Sequence, residues 1–366
     1  MGRETEQFEQ LLELLPEGWE EKAKELGAFE RGREIKTPRE LLRLILLYIT
    51  EGKSFARTSA IINLSQTADI SKIAVFKRIQ KCGNWLKWLC RHIYRKAGLI
   101  GEKPQWLENK NVILIDVSQE GKRTEGKQYQ YHMLHYSMEL FTLCVREFLI
   151  SDIKEAGEKL SNFNCLGEDD IVMADRVYTT LTGLSHLKER GCGYVLRLQA
   201  DRFKLYDKEK QRIDLLECFS SLLEGETADM NAYCHINKQY EPERICAMRK
   251  YKKDEDVGLQ RIMKTNQRKH GRKMASPLQQ EYNKYIILIT SLGQDVPACE
   301  VLSLYRMRWQ IELAFKRLKS IFHYNEMPAR KPENIRTWFY GTMLLAALCE
   351  AMVNTGRFPP CTEPVW

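Results

Sequence analysis

Along the first hundred residues, apolar side chains return at helical spacing. Phe8, Leu11, Leu12, Leu14 and Leu15 recur in this way up to Pro16. Thr37 is placed to cap a second helix near Pro38, and its 40–50 span carries Leu41, Leu42, Leu44, Ile45, Leu46, Leu47 and Ile49. Residues 54–63 predict a third helix. Residues 69–80 predict a fourth, with Ser71 as its cap. In that helix Ile73, Phe76 and Ile79 are expected toward a core, and Lys77, Arg78 and the following Lys81 outward. Two short helices with a basic second member resemble a helix-turn-helix arrangement. A helical bundle with a solvated basic face is the plainer alternative.

From Asn111 the pattern changes. Residues 112–115 are a continuous branched apolar run, as expected of a buried strand. Residues 129–137 alternate, and 141–150 are apolar again. A helix is predicted over 153–163, a buried strand over 171–174, a helix over 180–190 ending at Gly191, and a strand over 193–198. Strands followed by alternating helices and strands make an α/β domain with a mixed sheet. Residues 200–282 break that rhythm, with short strand candidates at 213–216, 232–236 and 244–248 and a very basic stretch over 261–276. A structureless loop of that length inside a domain is improbable, so an inserted β-rich subdomain is expected. The buried-strand pattern resumes at 285–290. Helix signals run from Pro297, a good first helical residue, to Val353. The expected organisation is an α-helical N-terminal domain (1–105), an α/β core (106–199 and 283–355), a β-rich insertion (200–282) and a tail (356–366).

Composition narrows the class. Hydrophobic residues make up 43% and charged residues 29%, which excludes a disordered chain. The net charge of +8 is modest, but its distribution is uneven. Between Lys72 and Lys103 stand Lys77, Arg78, Lys81, Lys87, Arg91, Arg95 and Lys96, against Glu102 as the only acid. Such asymmetry points to a surface facing a polyanion. Eleven cysteines are scattered without a C-x2-C pair, which argues against a disulfide framework or zinc site and fits a reducing cytoplasm. The polar, acidic N-terminus is not expected to be a secretory signal. The most apolar stretch, 343–353, is too short to span a bilayer and contains Glu350.

Three acids stand where acids are costly. Asp116 follows the 112–115 run and Asp175 follows the 171–174 run, so both carboxylates are expected at one edge of a buried sheet. A lone Asp after a strand is ordinarily a turn former or helix cap. The third, Glu312, lies in 304–319, a segment without Gly or Pro that is expected to be one continuous helix. There Tyr305, Arg308, Glu312 and Lys319 fall at i, i+3, i+7 and i+14, along one face. Arg308 and Lys319 suit phosphate oxygens. Glu312 would repel phosphate unless a metal intervened. A surface helix with incidental charge pairs is the alternative.

The spacing Tyr305-x2-Arg308-x3-Glu312-x6-Lys319 is similar to the Tyr-Arg-Glu-Lys motif of the bacterial insertion sequence 4 family of DDE transposases. Asp116 after Val-Ile-Leu-Ile, and Asp175 within Ala-Asp-Arg-Val-Tyr178, resemble that family's two Asp motifs. The resemblance implies an RNase H-like catalytic core and a Mg²⁺-dependent enzyme, with Mn²⁺ as a substitute. It implies Asp116, Asp175 and Glu312 as catalytic metal ligands, Asp116 bridging two ions. Water would cut at the transposon end, and the freed 3′-hydroxyl would attack target DNA. Tyr305 and Arg308 would grip phosphate on the end being cut, Lys319 would orient a neighbouring phosphate, and Lys77, Arg78 and Lys81 would contact DNA. Partners would be double-stranded DNA, as terminal inverted repeats and target, and a second copy in a homodimeric synaptic complex. No membrane is involved, and the location would be the bacterial cytoplasm at the nucleoid. A stand-alone metal-dependent nuclease and a transposase-derived DNA-binding protein are the alternatives.

Two departures stand out. Val177 replaces a common Gly, and the 200–282 insertion has no Trp. In some relatives a Trp in the insertion stacks on a flipped base. Here the flat faces in that region are Tyr206, Tyr233 and Tyr240.

Overall fold

The computed structural model describes residues 3–52, 54–96, 103–123, 129–143, 145–152, 157–271, 274–320, 323 and 332–354. Cys144, Cys361, Glu102, Trp366, the 356–366 tail and the start of the helix expected over 153–163 lie outside them.

Six helices come first: Arg3–Leu12 (α1), Trp19–Glu25 (α2), Pro38–Leu47 (α3), Phe55–Leu64 (α4), Lys72–Gln80 (α5) and Gly83–Lys96 (α6). Their starts follow the capping chemistry. The Thr37 hydroxyl accepts from the Glu40 N–H, Ser54 from Arg57 and Ser71 from Ala74. The inward face of α5 differs from expectation: Val75 and Ile79 are buried while Ile73 is 59% exposed. Packing decides this, because the Thr337 hydroxyl donates to the Ile79 carbonyl at 2.9 Å and draws that side of α5 inward. The connection between α4 and α5, residues 65–71, is longer than the three- or four-residue turn of a helix-turn-helix.

The strands form a mixed eight-stranded sheet. They are Asn111–Arg123 (β1), Tyr129–Glu139 (β2), Val145–Asp152 (β3), Asp170–Ala174 (β4), Gly193–Arg197 (β5), Thr227–Ile236 (β6), Gln239–Arg249 (β7) and Tyr285–Thr290 (β8). Their order is β3-β2-β1-β4-β5-β8-β7-β6. The β1–β4 and β4–β5 pairs are parallel, and the others are antiparallel. Between β4 and β5 lies Leu181–Glu189 (α7), capped by Thr180 and closed by Gly191 in the left-handed region at φ +67°. Among the described residues of 153–163 there is only a 3₁₀ turn, Leu160–Asn162.

The insertion departs most from expectation. Its β6–β7 hairpin pairs with β8 and so lengthens the main sheet. The 213–216 segment is not a strand, because the Asp214 carboxylate accepts from the Leu216 N–H and starts Leu215–Phe219 (α8). The basic stretch lies largely in a 19-residue helix, Lys252–His270 (α9), followed by Pro277–Asn283 (α10) with a Ser276/Gln279 capping box. The chain ends in Ala298–Arg306 (α11), Trp309–Ser320 (α12) and Pro332–Asn354 (α13). Pro297 is the residue before α11.

The period-two alternation of the strands divides two cores. Ile113, Ile115, Val172 and Leu196 pack with Leu184 and Leu187 of α7 and with Phe219 of α8. Val112, Leu114, Met173 and Val195 face the other way, in one cluster with the N-terminal helices and α11–α13. Trp338 of α13 is fully buried there, and the Tyr48 ring meets it edge-on at 5.4 Å. The N-terminal helices therefore share a core with the sheet. Trp338→Ala should weaken a single common unfolding transition by about 3–5 kcal/mol, read in a denaturant titration by circular dichroism and fluorescence. Two transitions with only one displaced would contradict a shared core.

Candidate active site

The parallel β1–β4 ladder ends at the pair Ile115 and Ala174. Asp116 and Asp175 are the next residues on each strand, so two carboxylates stand side by side at the carboxyl edge of the sheet. The two strands then part. β4 stops, and Asp175 leads into a 3₁₀ turn, Arg176–Tyr178. β1 runs on to Arg123, paired only with β2, so Asp116 lies just past the parallel ladder but inside its strand, contrary to the expectation from sequence. The longer strand arises because the residues after Asp116 exchange backbone hydrogen bonds with β2.

Glu312 arrives from the helices. The segment 304–319 is not one continuous helix, as expected, but breaks at Met307 and Arg308 between α11 and α12. Helix formers alone do not decide the matter, since each half has its own docking site. Tyr305 is buried on α11 and its hydroxyl donates to the Ala174 carbonyl at 3.4 Å. On α12, Ile311, Phe315 and Leu318 are buried, and the Phe315 ring packs on Tyr136 at 5.4 Å. Tyr136 is the β2 partner of Asp116, so this contact lays α12 across the strand that carries Asp116. The motif is thereby divided: Tyr305 precedes the bend, Arg308 lies in it, and Glu312 and Lys319 share a face of α12.

Arg308 joins the acids. Its Nη1 is 3.5 Å from Asp116 Oδ2, and its Nη2 donates to Glu312 Oε1. Burial works against its charge, but Tyr305, Asp175, Glu312 and Asp116 together hold its pKa above the ordinary value. Burial pushes the Asp116 carboxyl up to about 6. The Val117 N–H and Arg308 oppose that shift, and Asp175 and Glu312 add to it. Among the described residues, no three of His, Cys, Asp and Glu come together closely enough to hold a metal ion. In this arrangement the guanidinium stands between Asp116 and Glu312.

Cations gather at the same edge. Arg197 ends β5 one strand beyond Asp175, and burial, with Arg176 nearby, lowers its pKa. Lys250, just past β7, is buried, and burial with Arg197 nearby brings it down to about 8. Sequence reasoning does not single out Arg176, Arg197 or Lys250. The available signal is that β5 is a third strand ending at the edge of Asp116 and Asp175. Tyr178 enters the sequence motif only as context. Its buried hydroxyl has no hydrogen-bond partner among the described residues, and burial, Asp116, Glu158 and Asp175 all raise its pKa.

Other candidates lie elsewhere. Lys77 is exposed on α5, the Arg78 guanidinium lies over the Phe29 ring, and Lys81 pairs with Glu30 at 2.8 Å. Tyr206, Tyr233 and Tyr240 are half-buried against one another. Tyr240 is the second residue of β7, whereas Arg249 ends it, so this group sits toward the sheet edge opposite the carboxylates. All nine described cysteines are free, and no described helix is long and apolar enough to cross a membrane.

The sequence signature of the family described as transposase DDE domain matches residues 116–349, from Asp116 through most of α13. The chain belongs to that family. The transposase is 29% identical over 357 residues to the InsL protein of insertion sequence element IS186A from Escherichia coli (strain K12), covering 94% of this chain and 93% of the relative. It is also 29% identical over 358 residues, with the same coverage, to the transposase for insertion sequence element IS421 from Escherichia coli. A shorter likeness, 27% over 198 residues, links half of the chain and 41% of the relative to the transposase for IS231F from Bacillus thuringiensis subsp. israelensis. The protein is a DDE-type DNA transposase, of a family that depends on divalent metal.

The Asp116 environment has a stability signature. Its folded pKa, about 6, lies above its ordinary value of 3.8, so the folded state holds the proton more tightly. That advantage is complete below the ordinary value and is lost as pH rises through about 6. Asp116→Asn cannot ionise and escapes the loss. In EDTA, the stability of Asp116→Asn relative to wild type should therefore rise by about 1–3 kcal/mol between roughly pH 4 and pH 7.5. A flat or falling difference in denaturant midpoints would contradict the buried-acid assignment.

Proposed function

We propose that Asp116, Asp175 and Glu312 are the catalytic carboxylates of the transposase and that they hold Mg²⁺, with Mn²⁺ as a substitute. The observation that carries this reading is the register of β1 and β4, which sets Asp116 beside Asp175, with Arg308 linking Asp116 to Glu312. The donor set is all oxygen, which suits a hard cation. Asp116 already binds a proton more tightly than a free carboxylate does, chiefly because it is largely buried and in smaller part because Asp175 and Glu312 are near. Those conditions favour a cation in place of the proton. When bound, the metal supplies activation of water and stabilisation of the leaving oxygen in phosphodiester cleavage.

The remaining work falls to the chain's own side chains. Arg308 is a partly buried guanidinium with two carboxylate partners, and phosphate oxygens can replace them in the same fork geometry. Tyr305, held on the Ala174 carbonyl, fixes the bend that aims Arg308. Lys319, on the Glu312 face of α12, orients a neighbouring phosphate of the end being cut. The substrates are transposon terminal inverted repeats and target DNA, brought together by a homodimer in a synaptic complex in the bacterial cytoplasm. The strand order and the split motif support an RNase H-like core and membership of the insertion sequence 4 family, in its Tyr-Arg-Glu-Lys subgroup. The N-terminal helices, residues 1–105, make further DNA contacts through Lys77, Arg78 and Lys81. Core segments 106–199 and 283–355 carry the chemistry, and 200–282 form the insertion.

Labelled end DNA, Mg²⁺ and a target plasmid test this directly. Wild type should cut the end and join its 3′ strand to the plasmid, and EDTA should stop both. Asp116→Asn, Asp175→Asn and Glu312→Gln should each lower cleavage by on the order of 10⁴ while still binding the end. A variant cutting at the wild-type rate would remove that residue from the site. Cleavage without joined product would instead favour a stand-alone nuclease. Neutralising Lys77, Arg78 and Lys81 should reduce end affinity and its salt dependence, by about 0.9 in slope for each phosphate no longer neutralised. An unchanged slope would remove α5 from the DNA interface.

A further inference from the structure

The insertion contributes more to the catalytic edge than two extra strands. β7 ends at Arg249 opposite Tyr285, the first residue of β8, and β8 pairs with the end of β5 at Arg197. Arg249 and Tyr285 therefore lie at the edge that carries Asp175 and Asp116. From that edge rises α9, about 28 Å long, and α10 returns along it. The base of this arm is fixed. Arg249 Nη2 is 3.1 Å from Glu255 Oε1, Lys250 Nζ donates to Asn283 Oδ1 at 3.0 Å, and Asn283 Nδ2 donates to the Glu255 carbonyl at 2.7 Å. Farther out, Asn266 Nδ2 donates to Gln279 Oε1 at 3.1 Å, clamping the two helices together.

Charge separates along the arm. The acids of the arm stand at its base: Asp254, Glu255 and Asp256 on α9, where Arg249 and Lys252 pair with Glu255 and Lys252 also with Asp256, and Glu281 near the end of α10, paired with Lys284. From Val257 to Gln280 the sequence has no acid, while it carries Arg261, Lys264, Arg268, Lys269, Arg272 and Lys273. Arg261, Lys264 and Arg268 are exposed and fall at i, i+3 and i+7, on one face of α9. A merely solvated helix alternates the signs of its charges. A stripe of one sign suits a polyanion.

We propose that the Arg261–Lys264–Arg268 face of α9 docks the phosphate backbone of duplex DNA leading to the carboxylates. This rests on the reading of Asp116, Asp175 and Glu312 as the place of cutting. Duplex DNA carries one charge per about 1.7 Å of axis, so three cations spread over about 10 Å of helix meet several phosphates. These contacts are to the backbone and independent of sequence, so the face adds affinity and register rather than base selection.

The test uses the full chain, its Arg261→Gln/Lys264→Gln/Arg268→Gln variant and a mixed-sequence DNA duplex titrated in EDTA over a range of KCl. The variant should bind about tenfold or more weakly at low salt, and its slope of log affinity against log salt should be shallower by about 2–3. Lys264→Gln alone should flatten the slope by about 0.9, which covers the case of a triple variant that folds poorly. Affinity and slope equal to wild type would overturn the proposal. So would an unchanged slope with an altered mass in light scattering, since the face would then mate with protein. Wild type that binds no duplex would overturn it as well. Mg²⁺-dependent cleavage by wild type is read separately: a flattened slope in the variant with no cleavage by wild type would keep the docking face and defeat the reading of the carboxylates.

Discussion

The structure depends on one constraint, the burial of a carboxylate beside two other acids where a buried parallel ladder ends. Ile115 and Ala174 are register partners, so Asp116 and Asp175 cannot avoid each other without breaking the ladder. Their shared edge is partly dry, and Asp116 responds by holding its proton up to about pH 6. Arg308 offsets part of this cost by pairing with Asp116 and Glu312. Like charges in such surroundings are stable only with a positive partner, whether proton, guanidinium or metal ion. The bend between α11 and α12, the Tyr305 contact with Ala174 and the Phe315 contact with Tyr136 all serve to deliver that partner and the third acid.

The same edge carries the opposite charge farther along. Asp116 and Asp175 stand just past the end of the central parallel ladder. Arg197, then Lys250 beyond the antiparallel β8, continue the row. On the proposed reading, the acidic end takes a cation and the basic end takes phosphates. The insertion makes that possible because β6 and β7 join the main sheet rather than folding apart. On the other side, α13 binds the N-terminal helices into the core, so the elements that carry Lys77, Arg78 and Lys81 are held against the catalytic scaffold.

Much of this is legible in the sequence, for identifiable reasons. The runs before Asp116 and Asp175 read as buried strands because branched apolar residues leave no polar face. Thr37 and Ser71 mark helix starts because a hydroxyl there satisfies an otherwise orphaned N–H. The four-residue motif is visible as a spacing, but its bend is not, since Met307 and Arg308 are ordinary helix residues and only docking on the sheet separates the two halves. The α9 arm reads as part of a β-rich insertion because its apolar positions are few, and its support comes from Asn283 and Gln279, distant in sequence. Lys250 escapes notice because its place at this edge depends on the antiparallel pairing of β8 with β5 and β7, which no local pattern encodes. Periodicity alone points Ile73 inward, and the packing of α5 on α13 reverses it.

Direct metal binding tests the central claim most closely. Mn²⁺ titrated into the apo protein with end DNA, followed by electron paramagnetic resonance, should lose free signal as ions bind, and Mg²⁺ should compete. Asp116→Asn should abolish most of that binding. Equal Mn²⁺ uptake by wild type and Asp116→Asn, or no uptake by wild type at all, would contradict the account.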